Sequence, residues 1–231
     1  MDKSVKPIEC KTADACGSCD IRQSVLFADL TSDEISSIHL PIEDIPLSKG
    51  AIIYQQGQIA SDLFTIREGL VKLEQYLEDG NYRIVSLLGP GDLIGLEASL
   101  SSAYEHTAVA LMTSKVCRIP REVVSKMSSQ ISSQLMNKWH NMVKQSHLCA
   151  LELSTGSARQ RMARLFLLLA GPMEQSFQLF SRDDVGALLG ITTETACRLV
   201  SMFKKQKIIQ EVKNSTYVFD ADSLHEIASG T

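Results

Sequence analysis

The spacing of apolar residues changes twice along the chain and predicts three structural regions. Between Ile45 and Ile119, short apolar segments alternate with glycine-containing turns such as Glu68-Gly69 and Asp79-Gly80. Short strands at this spacing predict a β-sandwich or barrel, and Asp-Gly is a strong hairpin signal because its turn needs positive φ angles. The predicted strands are Gly50–Tyr54, Leu63–Ile66, Leu70–Tyr76, Tyr82–Leu87 and Thr107–Leu111.

From Glu122 to Leu153 the apolar positions change to a helical spacing. They recur at alternating intervals of four and three residues, which is the heptad pattern of a coiled-coil seam, interrupted by polar Ser146. Such a helix either packs on its own β domain or pairs with a second copy, and the length of the seam favours a homodimer. Ser146 either keeps that dimer switchable or is a tolerated small residue. The predicted interface is Leu135, Trp139, Met142, Val143, Ser146, Cys149, Ala150 and Leu153.

The C-terminal region predicts a helix-turn-helix followed by a two-stranded wing. Ser181-Arg-Asp-Asp184 is a helix N-cap pattern, and Gly190-Ile-Thr192 is a turn in which glycine ends the first helix. A second helix is predicted from Thr193 to Gln206. The wing is predicted at Ile208–Val212 and Thr216–Phe219.

The second helix of this motif carries the chemistry that duplex DNA requires. Glu194, Cys197 and Arg198 lie on the outward face of its first turns, the part of a recognition helix that meets base edges. Arginine donates two hydrogen bonds to guanine and glutamate accepts one from cytosine, whereas Lys204 and Lys205 can contact phosphates. A helix pair that only packs is the alternative. We therefore predict double-stranded DNA as the partner.

Three stretches within residues 27–225 resemble the CRP/FNR family of bacterial regulators: Lys49–Gly57, Gly89–Gly95 and Asp184–Leu199. The resemblance implies an α+β fold, with an N-terminal β-roll like a cyclic-nucleotide-binding jelly roll, a long dimerisation helix and a C-terminal winged helix-turn-helix. It also implies a homodimer on an inverted repeat. The predicted domains are a cysteine-containing arm (1–25), the β-roll (26–121), the dimerisation helix (122–154) and the DNA-binding domain (155–231).

The resemblance also implies roles for single residues. Glu194 and Arg198 occupy the family's base-recognition positions, and Thr193, which we also predict to contact DNA, stands where cyclic-AMP regulators carry arginine. Cys197 stands where FNR-type proteins usually carry serine. Together these positions resemble the FNR type more than the CRP type, which implies a TTGAT-like half-site. FNR-like activators contact RNA polymerase through a hairpin, for which the plain alternative is a solvated turn. The corresponding residues here are Glu78, Asp79, Gly80 and Asn81.

Two effectors compete for control of this regulator, and the first is a cyclic nucleotide. The family's nucleotide-binding cassette needs a glutamate for the ribose and an arginine for the cyclic phosphate. This chain has Leu96 and His106 at those positions. Because a buried phosphate without a bidentate cation is poorly compensated, the sequence argues against a cyclic nucleotide.

The second effector is an iron–sulfur cluster, for which four thiolates suffice. Cys16-Gly-Ser-Cys19 puts two thiols on one short loop, and the segment around Cys117 resembles the one that carries the distant ligand in FNR-type proteins. Those proteins supply a further ligand downstream, about where Val25 lies, whereas this chain has Cys10 upstream. We predict Cys10, Cys16, Cys19 and Cys117 as ligands of an oxygen- or redox-sensitive [4Fe–4S] cluster. Zinc, a metal-free thiol switch, and haem or another small ligand are the alternatives.

Composition narrows the function classes further. A net charge of −4 and 44% hydrophobic residues are ordinary for a globular protein, so a basic DNA-binding face must be local. No apolar run approaches the roughly 20 residues that cross a bilayer, and the first residues lack the apolar core of a secretory signal. We therefore expect no membrane association and a cytoplasmic protein. The histidines are scattered and no catalytic triad or phosphate-loop pattern occurs, so no enzyme is predicted.

Overall fold

A computed structural model describes residues 8–9, 43–100, 102–126, 128–171 and 176–230 of the 231-residue chain. Its contacts divide the chain into two units, Met1–Gln75 with Val85–Lys144, and Tyr76–Ile84 with Gln145–Thr231. Apart from Ile8 and Glu9, the predicted arm over residues 1–25 lies outside the described residues. Three of the four predicted cluster ligands, Cys10, Cys16 and Cys19, therefore lie outside them too.

Two antiparallel sheets contain the described strands that precede the long helix. The strands are β1 Ile8–Glu9, β2 Glu43–Leu47, β3 Ile52–Tyr54, β4 Asp62–Glu68, β5 Val71–Tyr76, β6 Tyr82–Leu88, β7 Leu93–Ile94, β8 Thr107–Ala110 and β9 Ser114–Pro120. One sheet has the order β1-β2-β9-β4-β7 and the other the order β3-β8-β5-β6. A short 3-10 helix, Leu96–Leu100, follows β7. The predicted β-roll is confirmed, and each predicted strand overlaps an observed one.

The core of the first unit contains apolar side chains from both sheets and from the helices that follow. Leu63, Ile66 and Val116 are completely buried, and Val123 and Ile131 from the helical segment belong to the same cluster. The first five residues of β4, Asp62–Ile66, are buried on both faces, so its sequence does not alternate between apolar and polar residues.

The predicted long helix corresponds to two described helical segments, on either side of residue 127, which lies outside the described residues. Helix α1 spans Arg121–Lys126 and helix α2 spans Ser128–Glu152. Leu153 lies beyond the end of α2 and is 2% exposed, so it packs within its own chain, and its place in the dimer interface stays a prediction. Gly156, with a φ of 83°, lies in the left-handed region that glycine adopts without strain, just after this end.

The second unit contains the predicted winged helix-turn-helix with two additions. Its elements are α3 Ala158–Ala170, β10 Ser176–Gln178, α4 Arg182–Leu189, α5 Thr193–Lys205, β11 Ile209–Lys213, β12 Thr216–Phe219 and α6 Ala221–Ser229. The predicted two-stranded wing is a three-stranded antiparallel sheet of order β10-β12-β11, because β10 joins the edge of β12. Helix α6, which the sequence pattern did not indicate, packs mainly against α3.

Candidate functional site

Two local caps fix where the helices of the helix-turn-helix begin and end. The Ser181 side chain accepts a hydrogen bond from the Asp184 backbone N–H at 3.1 Å, and Thr192 accepts one from Thr195 at 3.2 Å. Gly190 ends α4 with a φ of 65°, as the sequence predicted. Because both caps and the turn are local, the motif was recognisable from sequence.

A glycine allows the two helices of the motif to pack closely. A Cβ atom at Gly186 of α4 would lie 2.7 Å from the backbone oxygen of Ile191 and 3.5 Å from the backbone nitrogen of Thr193. On the other side, Ala196, Val200 and Phe203 of α5 are buried against the unit. This packing leaves the opposite face of α5 to the solvent.

Helix α5 exposes the side chains that were predicted to contact bases. Glu194, Cys197 and Arg198 are all exposed, and their positions at i, i+3 and i+4 place them on one face of the first two turns. Thr193 is exposed too, but its hydroxyl donates a 2.7 Å hydrogen bond to the carboxylate of Asp183 on α4. The structure therefore brings a carboxylate, a thiol and a guanidinium together at the N-terminal end of the helix.

The basic side chains near the end of α5 differ in whether they already form an ion pair within the protein. Lys204 forms a 2.8 Å ion pair with Glu211 of β11, which raises the pKa of Lys204 and lowers the pKa of Glu211, whereas Lys205 is exposed. Arg159 of α3, which the sequence did not single out as a DNA contact, bonds the Gln206 side chain at 3.2 Å. Arg159 therefore lies beside the end of α5 and adds a cation to this surface.

The other two arginines of α3 have structural roles. Arg161 donates to the backbone oxygen of Leu189 at 2.7 Å. Arg164 donates to the backbone oxygen of Ala228 at 3.0 Å and pairs with Glu152 at 3.3 Å. The sequence shows that both residues are basic, whereas their hydrogen bonds to backbone oxygen atoms of the same domain depend on tertiary contacts.

The predicted RNA polymerase hairpin is a tight, exposed turn. Leu77 and Asn81 close it through a 2.8 Å backbone hydrogen bond, and Gly80 has a φ of 82°. The Asn81 side chain donates to the Asp79 carboxylate, which lowers the pKa of Asp79. Together with exposed Glu78, the charged Asp79 carboxylate makes the tip of the turn acidic.

Cys117 is the predicted cluster ligand that the structure describes, and it lies half-buried on β9. Its direct cross-strand neighbours are Asp44 on β2 and Thr65 on β4. Ile8 on β1 is in turn paired with Asp44. Because directly paired residues point to the same face of a sheet, Asp44, Cys117 and Thr65 form one row across three strands, which we call the Cys117 row.

Two cations adjoin the Cys117 row on the same face of the sheet. Arg67 and Lys115 both pair with the carboxylate of Asp44, Lys115 at 3.8 Å. Two oxygen atoms in the row, Asp44 Oδ1 and Thr65 Oγ1, are buried and have no hydrogen-bond partner. Among the described residues there is no group of three or more side chains that could hold a metal ion.

Comparisons with known proteins agree with this architecture. Residues 45–130 match the family model described as Cyclic nucleotide-binding domain, and residues 160–227 match the Crp-like helix-turn-helix domain. Regulatory protein HlyX of Actinobacillus pleuropneumoniae is 31% identical over 84% of this chain and 85% of its own length. The Fumarate and nitrate reduction regulatory protein of Vibrio cholerae is 30% identical over 92% and 90%, respectively.

Solved structures show the same fold. FixK2 from Bradyrhizobium japonicum superposes with a TM-score of 0.71 at 24% identity, over 80% of this chain and 96% of its own. A CRP-family transcriptional regulator from Thermus thermophilus gives a TM-score of 0.72 at 22% identity, over the same shares. The fold and the helix-turn-helix define a DNA-binding transcription regulator rather than an enzyme. The chain belongs to the CRP/FNR family, as the sequence motifs predicted. None of the described helices is long and apolar enough to cross a membrane.

Proposed function

We propose that this regulator acts as a homodimer on a TTGAT-like inverted repeat, under the control of a [4Fe–4S] cluster bound by residues of the arm and by Cys117. The exposed set Glu194, Cys197 and Arg198 on α5 is the observation that carries the DNA-binding half of the proposal. The Cys117 row carries the sensing half. We further propose that the protein works in the cytoplasm.

Base recognition rests on the exposed face of α5. Arg198 can donate two hydrogen bonds to one guanine, and Glu194 can accept from cytosine on the opposite strand. Cys197 lies between them with a side chain that is a weak donor, so it suits an apolar neighbour such as a thymine methyl group. Thr193 contributes through its hydrogen bond to Asp183, which positions the first turn of α5.

Phosphate contacts come from the edges of this surface. Lys205 and Lys207 are exposed cations, and Arg159 lies beside Gln206. Lys204 is partly neutralised by Glu211, so we assign it a smaller share of the phosphate binding. Contacts of this kind supply affinity without sequence information.

Dimerisation is proposed through α2 because this helix exposes large apolar side chains. Trp139 is 49% and Met136 67% exposed, and Leu148 and Leu151, which lie outside the predicted seam, are exposed as well. Next to Trp139, an apolar groove of about 610 Å³ lies between the 3-10 helix and α2. A second copy of α2 would cover these side chains, with Leu135, Met142, Val143, Ser146, Cys149 and Ala150 as the remaining seam residues.

The chemistry of the Cys117 row fits an iron–sulfur cluster. A cluster held by four thiolates is anionic, and two cations, Arg67 and Lys115, lie beside the Cys117 row, where both pair with Asp44. The buried Thr65 hydroxyl supplies a hydrogen-bond donor beside the sulfur.

The pairing of β1 supports Cys10 as a further ligand. Ile8 pairs with Asp44, which pairs with Cys117, so Ile8 lies two strand spacings, about 10 Å, from Cys117. Cys10 follows Ile8 by two residues and lies outside the described residues. Its closeness in sequence to β1 supports Cys10 as a proposed ligand, while Cys16 and Cys19 are proposed on sequence grounds.

Control of DNA binding would act through the chain that follows Cys117. When bound, the cluster supplies iron–thiolate bonds that oxidation breaks. Cys117 lies four residues before Arg121, where α1 begins, and α2 follows directly. Tying the arm to Cys117 therefore restrains the segment that leads into the proposed dimer helix, and releasing it favours the monomer.

Anaerobic purification tests the cluster. Wild-type protein is expected to be brown, with about four iron and four sulfide per chain. Serine variants at each of the four proposed ligands should lose most of this iron, whereas Cys149→Ser and Cys197→Ser should retain it. Colourless, iron-free wild-type protein with full operator affinity would exclude cluster control and favour the alternative effectors.

The acidic turn at Glu78–Asn81 is proposed as the contact to RNA polymerase, because it is exposed and charged. A Glu78→Ala, Asp79→Ala double variant should bind the operator normally and activate transcription less in a purified system. If the wild-type protein and the double variant activate transcription equally, the turn does not contact RNA polymerase and only connects two strands.

A further inference from the structure

Thr65 contains a buried hydroxyl group that no described residue satisfies. Its side chain is 1% exposed on β4, and Oγ1 has no hydrogen-bond partner. Burying an unpaired hydroxyl costs free energy that valine, of nearly the same shape, would not cost. The fold alone gives no reason for threonine at this position.

Among the described residues, the sulfur of Cys117 is the side-chain acceptor directly opposite Thr65 on its face of the sheet. Cys117 lies directly opposite on β9, and the next row contains Leu63 and Ile119, which are buried and apolar. In the other direction along the two strands lie Arg67 and Lys115, whose charged groups only donate. Asp44, another acceptor of the row, lies one strand further away on β2, so the sulfur of Cys117 is the nearer of these two acceptors.

We propose that Thr65 is a positioning residue that donates a hydrogen bond from Oγ1 to Sγ of Cys117 when that sulfur is a metal-bound thiolate. The inference rests on the proposed cluster. A neutral thiol is a weak acceptor, whereas a thiolate is a strong one, so the hydrogen bond gains its strength in the cluster-bound protein.

The hydrogen bond would make the cluster harder to oxidise. Hydrogen bonds to the sulfur atoms are among the factors that set cluster potentials, since they stabilise the more negatively charged, reduced form. Groups that bond to metal ligands also hold those ligands in place. Removing the Thr65 hydroxyl should therefore lower the reduction potential and loosen the bond between Cys117 and iron.

Three variants test this role. Thr65→Val removes the donor at nearly constant shape, Thr65→Ser retains it, and Ser86→Ala is the matched control. Ser86 is a buried residue of β6, in the other sheet, whose hydroxyl is likewise unpaired. For each protein we would measure cluster potential, iron retention against a chelator, decay of the cluster in air, and the urea midpoint of cluster-free protein.

The expected result separates cluster tuning from fold stability. Thr65→Val should lower the potential, speed decay in air and weaken iron retention by about tenfold, the lower end of the usual effect for a group bonded to a metal ligand. Thr65→Ser should restore wild-type values, and Ser86→Ala should not differ from them. The urea midpoint of cluster-free Thr65→Val should stay unchanged or rise.

Two outcomes would overturn the inference, and they are distinguishable. If wild-type protein binds a cluster but Thr65→Val has the same potential, decay and retention, this inference alone is wrong. If wild-type protein binds no cluster under anaerobic reconstitution, the proposed sensing function is wrong and this inference falls with it. A urea midpoint that drops in Thr65→Val with unchanged cluster properties would assign Thr65 a purely structural role.

Discussion

Thr193, the first residue of α5, donates a 2.7 Å hydrogen bond to the carboxylate of Asp183, in the first turn of α4. The bond joins the two helices of the helix-turn-helix at the N-terminal end of α5. It also engages the Thr193 hydroxyl inside the protein. Position 193 therefore helps to fix the geometry of the two helices, while Glu194 and Arg198 are exposed.

Thr193→Val should have a small effect on operator binding because the lost hydroxyl already donates to Asp183 within the protein. One exposed internal hydrogen bond contributes about 1 kcal/mol, so we expect at most about a fivefold loss of affinity in a gel-shift assay. The matched variant Asp183→Asn keeps an acceptor and should bind at least as tightly. A loss in Thr193→Val as large as that of Arg198→Ala would instead make Thr193 a base contact.

Arg198→Ala should abolish specific protection of the operator in a footprinting assay. Loss of a bidentate contact to guanine costs about 1–3 kcal/mol of base discrimination. Lys205→Gln is the control for phosphate contacts: it should weaken all sequences alike and reduce the slope of log affinity against log salt by about 1. Full operator protection by Arg198→Ala would remove Arg198 from base recognition.

Gly186→Ala should destabilise the helix-turn-helix. The added Cβ would lie 2.7 Å from the backbone oxygen of Ile191, and a backbone atom cannot move away without shifting the turn. Such overpacking costs about 1–3 kcal/mol, measurable as a lower urea midpoint. Gly89→Ala, where a Cβ meets nothing within 4 Å, should change the midpoint little. Equal midpoints for both variants would show that α4 and α5 have room to separate.

Trp139→Glu should dissociate the proposed homodimer. Truncating or charging a central aromatic residue of an interface costs about 2 kcal/mol or more, so the dimer dissociation constant should rise roughly 30-fold in sedimentation experiments. His140→Glu adds the same charge at an exposed neighbouring position of α2 that lies off the seam, and it should leave the constant nearly unchanged. Equal dissociation in both variants would place the interface elsewhere.

Local signals explain which parts of this protein the sequence predicted well. The hairpin at Asp79-Gly80, the caps at Ser181 and Thr192 and the left-handed Gly190 depend on residues within one turn of each other. The wing was predicted as two strands because β10 shows no local partner; its pairing with β12 spans about forty residues. Leu153 followed the heptad spacing, but the chain leaves the helix at Glu152 and buries it.

By itself, the sequence determined the order of domains, the family and the side chains on the outward face of α5, because helical and strand periodicities and capping residues act over short distances. Only the tertiary structure decided that the Thr193 hydroxyl donates to Asp183. It also decided that Arg161 and Arg164 donate to backbone oxygen atoms of their own domain. Finally, it placed Thr65 and Asp44 on the two strands that neighbour Cys117. Those relationships join residues that are far apart in the chain. Strand register and helix packing set them, and no short segment of sequence contains that information.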